Sequence, residues 1–185
     1  CYHGGVRMPG STTENIAYPQ RRHMHEAAKR SIAHAVAKRV PDGSSLIINI
    51  GTTTESVARA LLGHHNLRVI TNNLNVAATL SQNAGCELIV AGGLVRPRDG
   101  GIVGEAAVEV LRQFRVDIGL IGISGIEADG SLCDFDYREV TVARTIAERF
   151  GGVEGMREEP GEGRMAVDGI GPRMRTARTG FRADQ

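Results

Sequence analysis

Short runs of consecutive apolar residues alternate along the chain with stretches in which apolar positions recur every three or four residues. Leu46-Ile47-Ile48-Asn49-Ile50 is too short for a helix and rich in β-branched residues, the pattern of a buried parallel strand, and it runs straight into Gly51. After the turn Gly51-Thr52-Thr53-Thr54, Val57, Ala58, Leu61 and Leu62 fall at helical spacing until Gly63. The same order repeats. Leu67 to Thr71 reads as a strand, followed by a cap at Asn72-Asn73 and a helix face of Val76, Ala77 and Leu80. Cys86 to Ala91 reads as a third strand ended by Gly92-Gly93, followed by a Gly-, Arg- and Pro-rich loop over 96–104 and a helix from Glu105 to Phe114. Asp117 to Ser124 is the fourth strand, Asp129-Gly130 a turn, and Arg138 to Phe150 a helix with Ala143, Ile146, Ala147 and Phe150 on one side. Ahead of all these, Arg22 to Val40 is an amphipathic helix with Ala28, Ile32, Ala35, Val36 and Val40 on one stripe, closed by Pro41-Asp42-Gly43. Strands alternating with helices predict βαβ units, hence a three-layer α/β fold: an open, mainly parallel sheet with helices on both faces.

The ends of the chain differ from its middle. Residues 1–20 carry Gly, Ser and Pro without periodicity and read as an extended lead-in. Residues 21–150 hold the alternation. Residues 151–185 contain 8 Gly and 6 Arg with no sustained apolar run, and read as an aberrant Gly/Arg-rich tail with little sign of intrinsic order.

Composition narrows the class. The 185 residues suffice for one domain. Apolar residues make up 41%, enough for a core, but aromatics only 4%, so that core must be aliphatic. A net charge of +1 excludes the basic face of a self-sufficient nucleic-acid binder. Three thiols without CxxC spacing, Cys1, Cys86 and Cys133, favour a reduced cytoplasmic setting, and no run approaches the length of a membrane span. His23, His25, His64 and His65 lack metal-ligand spacing, so neither a metal nor a cofactor is expected.

Candidate chemistry gathers at the predicted strand ends. Gly51-Thr52-Thr53-Thr54-Glu55 lies where a buried strand meets a helix, and a helix N-terminus offers free N–H groups, a positive dipole end and, here, extra hydroxyl donors. Phosphate fits these features; a tight glycine turn with one capping Thr explains the residues equally well. The segment is neither a P-loop nor a GxGxxG fingerprint. Thr71, Asn72 and Asn73, with Asn75, end the next strand and offer donors and acceptors for sugar hydroxyls, though capping accounts for part of them. Gly92-Gly93, Gly100-Gly101 and Gly104 make a loop over the same crevice or a bare connection. After Gly122-Ile123-Ser124-Gly125 come Asp134, Asp136, Arg138 and Glu139; carboxylates here suit hydroxyl binding or proton transfer, while Glu139 equally suits the first turn of a helix.

The ordered series GTTTE, VITNNLNVA, LIVAGG, GGIVGEAAVEVLRQF and IGISGIEADGSLCDFDYREVTVAR closely resembles the C-terminal sensor domain of the DeoR family of bacterial transcription regulators, over roughly Tyr2 to Phe150. The resemblance implies a fold similar to ribose-5-phosphate isomerase and CoA transferases, used to sense phosphorylated sugars or polyols, with glycerol 3-phosphate the favoured effector. It implies that Gly51, Thr52, Thr53 and Thr54 hold the effector phosphate, that Thr71, Asn72 and Asn73 line the crevice, that Gly92, Gly93 and Gly104 shape it, and that Asp134 and Glu139 approach the hydroxyl end. Lys29 matches a basic position in the first helix of such domains and reads as either a pocket cation or a solvated charge, the latter favoured.

Two departures shape the expectation. Regulators of this kind begin with a winged helix-turn-helix, so DNA contact is expected only through an N-terminal module outside this chain, to which the lead-in would connect. The family also ends in a further strand and an Asp-x-Ser-Lys segment, whereas resemblance stops after Phe150 and no lysine occurs beyond Lys38. A reading-frame change there would leave the fold C-terminally incomplete, with an exposed sheet edge. The expected function is a non-enzymatic effector sensor of a homo-oligomeric repressor; the alternatives are a sugar-phosphate isomerase or related enzyme with Asp134 or Glu139 as base, and an inactive relic.

Overall fold

In a computed structural model the described residues are 17–126, 132–134, 136–149, 153–158 and 165–170, with backbone alone described at 126, 132, 133, 153–158 and 165–170. In chain order the elements are α1 (Tyr18–His23), α2 (Glu26–Ala37), β1 (Ser45–Ile48), α3 (Thr52–Ala60) with a closing 3₁₀ turn (Leu61–Gly63), β2 (Leu67–Thr71), α4 (Leu74–Leu80), β3 (Cys86–Val90), β4 (Leu94–Arg96), β5 (Gly101–Val103), α5 (Glu105–Arg112), β6 (Ile118–Leu120), β7 (Gly125–Ile126), β8 (Leu132–Cys133), α6 (Tyr137–Ala147), β9 (Val153–Glu158) and β10 (Met165–Ile170).

The apolar runs pair as the pattern predicts. β3, β2, β1 and β6 form, in that order, a parallel sheet, with Ile48 opposite both Thr71 and Leu120. Successive residues of a strand face opposite sides, and the core divides accordingly. Leu46, Ile48, Leu67 and Val69 pack with Val36 of α2, Val57 of α3 and Val76 and Leu80 of α4. On the other face Ile47 and Ile70 pack with Val108 and Leu111 of α5 and Val142 and Ile146 of α6. Helices therefore cover both faces, and among the described residues the buried hydrophobic side chains are all aliphatic. Burying each such side chain contributes roughly 1.5–3 kcal/mol, so double coverage is what stabilises a sheet of such short strands.

This order creates a switch point. From β1 the chain winds through α3 and α4 to β2 and β3 on one side, then returns through α5 to β6 on β1's other side. The helices that follow β1 and β6 lie on opposite faces, which makes the C-terminal ends of these strands the place where open α/β sheets form a ligand crevice.

Three local expectations are corrected. The helix expected over 22–40 is interrupted at Met24-His25, where His25 takes a left-handed φ of +50°; α1 begins at Tyr18, inside the segment read as extended, with Pro19 in its first turn, where a missing N–H costs nothing. The strand expected over 117–124 ends at Leu120, because Gly122 comes hard against the end of β1. The loop expected over 96–104 contains half of a hairpin, β4 pairing with β5 from Leu94↔Val103 to Arg96↔Gly101 between Gly93 and Gly104, both at positive φ. Strands of three residues are too short to leave a period. In the segment read as a tail, β9 and β10 pair antiparallel, from Val153↔Ile170 to Glu158↔Met165.

Candidate functional site: the crevice at the strand C-terminal ends

Gly51 turns the chain from β1 into α3 at φ +154°, a region that favours glycine. A Cβ there would lie 3.2 Å from Thr54 Oγ1 and 3.4 Å from Gly122 Cα, and a Cβ on Gly122 would lie 2.5 Å from the Ile50 carbonyl oxygen. The two glycines thus let the ends of β1 and β6 meet at backbone distance. No side chain caps α3. Its first regular bond runs from the Glu55 N–H to the Gly51 carbonyl at 3.0 Å, which leaves the N–H groups of Thr52, Thr53 and Thr54 at the positive end of the helix dipole.

The three threonines are not equivalent. Thr54 is buried, and its hydroxyl hydrogen is shared between the carbonyls of Asn49 (2.8 Å) and Gly51 (2.7 Å), so it ties the turn together. Thr52 and Thr53 are partly exposed, and their hydroxyls have no hydrogen-bond partner among the described residues. Thr71 resembles Thr54: buried, it donates to the Ile48 carbonyl at 2.7 Å and accepts from the Asn73 N–H at 3.1 Å.

Asn73 caps α4, its side chain accepting from the Asn75 N–H at 2.9 Å. Asn72 donates from Nδ2 to the Ile102 carbonyl at 3.0 Å, which fastens β5 over the end of β2. Glu55, 3% exposed, accepts from Tyr18 Oη at 3.0 Å and from Asn75 Nδ2 at 3.1 Å. Burial and the Glu55 charge push the Tyr18 hydroxyl up to about 12. Lys29, expected as a solvated charge, is instead partly buried and donates to the Arg21 carbonyl; burial, then the Arg21 charge, lower its proton affinity.

On the far side of the crevice Arg96 is 7% exposed and held by three carboxylates. Nε and Nη2 donate to Asp99 at 2.9 and 2.7 Å, and Nη1 reaches Asp136 at 2.8 Å and Glu139 at 2.5 Å. Burial, then the Asp134 charge, raise the Glu139 carboxyl. Asp136 caps α6 by accepting from the Arg138 N–H at 3.0 Å; hydrogen bonds from the Arg138 side chain, outweighing burial, hold its carboxyl down at about 2. Asp134 is half-buried and accepts from the Asp136 N–H at 3.3 Å. Because Asn75 Nδ2 also donates to the Asp99 carbonyl at 2.9 Å, a continuous chain of polar contacts runs from Glu55 of α3 to Glu139 of α6.

The glycines divide by need. Gly93, at φ +144°, has no room for a Cβ, which would lie 3.1 Å from the Val103 carbonyl. Gly104, at φ +99°, starts α5 without any side-chain cap. Gly92 faces open space, and nothing around it demands glycine. Among the described residues no group of His, Cys, Asp and Glu is arranged to hold a metal ion.

The family model of the DeoR C-terminal sensor domain matches residues 24–153. The chain belongs to the DeoR family. The DeoR resemblance extends to individual proteins: the chain is 53% identical over 147 residues to a glycerol-3-phosphate regulon repressor of Haemophilus influenzae and 51% identical to that of Escherichia coli, covering 80% of this chain and 57% and 58% of theirs. It is 43% identical to the HTH-type transcriptional repressor CsqR of Escherichia coli, over 78% of this chain and 55% of that one. The chain thus spans a little over half the length of the curated relatives it matches. These relatives are regulators rather than enzymes, as expected. No described helix is long and apolar enough to cross a membrane.

In this DeoR sensor domain Gly51 to Thr54, Asn72, Gly104 and Glu139 lie at the strand C-terminal ends and helix starts, Glu55 of the same threonine turn is buried beside them, and Tyr18, Asn49, Arg96 and Asp99, which sequence reasoning passed over, join them. Arg96 and Asp99 carried a signal, since an Arg and an Asp three apart in a glycine-rich loop can close a bidentate pair. Tyr18 carried none, lying in a segment without period.

Proposed function

We propose that this domain senses a small phosphorylated polyol, with glycerol 3-phosphate the favoured effector, and that its occupancy sets the DNA affinity of a homo-oligomeric cytoplasmic repressor through a DNA-binding module outside this chain. The observation that carries the reading is the start of α3, whose three leading N–H groups have no side-chain cap and lie at the sheet's switch point. The N–H groups of Thr52, Thr53 and Thr54 grip the phosphate, the free hydroxyls of Thr52 and Thr53 add donors, and Gly51 supplies the close approach. Thr71 and Asn73 shape the wall from beneath, Gly92, Gly93 and Gly104 shape the loop above, and Asp134 and Glu139 meet the far hydroxyl end. To change DNA affinity the effector must favour one of two arrangements, and the polar chain from Glu55 to Glu139 couples the helices that would move. Calorimetric titration with glycerol 3-phosphate, glycerol and inorganic phosphate tests this: the ester binds tightest, phosphate weakly, glycerol not at all. Equal, negligible heats for all three overturn it.

A further inference from the structure

Among the described residues five buried side-chain polar atoms lack a hydrogen-bond partner, and three of the five, Asn49 Nδ2, Asn49 Oδ1 and Asn72 Oδ1, belong to two asparagines at neighbouring strand ends. The last paired residues of β1 and β2 are Ile48 and Thr71, so Asn49 and Asn72 come next, side by side. Each lies two positions beyond an isoleucine of the α5/α6 core, Ile47 and Ile70, and strand alternation turns both amides to that face of the crevice. Both are fully buried. Their neighbours Asn73 and Asn75 spend their side chains on the α4 cap, Glu55, Tyr18 and the Asp99 carbonyl. Asn49 has no such task. Its backbone is bonded at both ends, N–H to the Leu120 carbonyl and carbonyl from the Thr54 hydroxyl, while both polar atoms of its side-chain amide lack a hydrogen-bond partner.

A buried, unpaired amide destabilises the protein that carries it, and a leucine, of the same branched shape though larger, would avoid that cost. Asn49 also precedes the first helical residue of α3 by only three positions, which sets it at the anion end of the crevice. We propose that Asn49, with Asn72, is the specificity-determining pair that reads the effector hydroxyl nearest its phosphate, Nδ2 of Asn49 donating to that oxygen and the two Oδ1 atoms accepting from hydroxyls. This rests on the sensor reading above and deepens it. In this structure both amide atoms of Asn49 and the Oδ1 of Asn72 are unpaired, while Asn72 Nδ2 is held by the Ile102 carbonyl of β5; a hydroxylated ester entering beside them supplies the missing bonds, and inorganic phosphate carries no carbon-bound hydroxyl with which to do so. The ligand thereby gives these atoms bonds that the chain does not provide, a differential interaction of the kind that sensing requires.

The test is Asn49→Leu in the full 185-residue chain, titrated with glycerol 3-phosphate and with inorganic phosphate, alongside thermal melting. The expected result is a loss of ester affinity of tenfold or more, phosphate affinity within twofold of the parent, and a melting temperature unchanged or raised. Asn49→Ala, which needs no more space than asparagine, carries the same binding expectation if the leucine variant does not fold. Parental ester affinity in either variant overturns the proposal, as does a marked fall in melting temperature in both, which would mean the amide has a structural partner. A parent that prefers the ester while both variants keep that preference overturns this inference alone; a parent that binds neither ester nor phosphate overturns the sensor reading with it.

Discussion

The two ends of the parallel sheet treat polar groups in opposite ways. At the N-terminal end polar side chains pair with one another at the surface: Ser45 donates from both N–H and hydroxyl to Asp117 (2.8 and 2.7 Å), the Asp117 N–H returns to the Ser45 hydroxyl, Arg68 pairs with Glu87 at 2.6 Å, and Asp42 accepts from the His65 N–H. At the C-terminal end the amides of Asn49 and Asn72 are sealed with atoms unpaired, and Arg96 is sunk among carboxylates. The helices repeat the contrast. α4 and α6 begin on Asn73 and Asp136, which fill their own N–H groups, whereas α3 and α5 begin on Gly51 and Gly104, which fill none. Polar residues at the first end stabilise the fold locally; at the second, bonding capacity is withheld from the fold, and that is where a ligand can supply it.

The contrast is most exposed at Arg96. Arg96→Leu removes the buried cation between Asp99, Asp136 and Glu139, leaving Asp136 to Arg138 and the others to the half-exposed Arg98, and costs about 3 kcal/mol in urea unfolding; a loss under about 1 kcal/mol would put this network on a par with the exposed pairs at the other end. Gly122→Ala comes next, at about 1–3 kcal/mol by thermal melting, because the added methyl drives into the Ile50 carbonyl and pushes β1 from β6.

Acid sharpens the comparison further. The Asp136 carboxyl, lowered from 3.8 to about 2 in the folded chain, contributes stability that is fully present above pH 4 and is lost as pH falls toward 2, because the unfolded chain binds the proton first. Asp136→Asn should flatten the stability-against-pH curve in that window. Glu139 has the opposite sign: its raised carboxyl favours folding at lower pH, and that contribution fades as pH rises through its folded value. The smallest effect belongs to the N-terminal end, where Arg68→Ala removes a pair whose side chains are both more than half exposed and costs under about 1 kcal/mol.

The range of the forces decides how much of this was legible in the sequence. Leu46 to Ile48, Leu67 to Thr71 and Cys86 to Val90 announce themselves, because a strand buried on both faces must be apolar at nearly every position. Gly51 was legible for a related reason: a strand that turns directly into a helix needs it. The break at His25, the β4–β5 hairpin and the early end of β6 were not, since each is decided by contacts between distant segments, such as Gly122 against Ile50 or Asn72 against Ile102. In the site, the residue types of the threonine turn marked a helix start but not which hydroxyl stays free; burial and the Asn49 carbonyl decide that against Thr54. Asn49 itself was hidden in an apolar run, and only its lack of partners in three dimensions singles it out.

Amide chemical shifts read during a titration with glycerol 3-phosphate report directly where the effector lands. The largest and saturable shifts should fall on the backbone N–H groups of Thr52, Thr53 and Thr54, with Ser45, Arg68 and Asp117 unmoved. Shifts centred on Ser45, Arg68 and Asp117, with the start of α3 silent, would contradict a phosphate cradle at that helix.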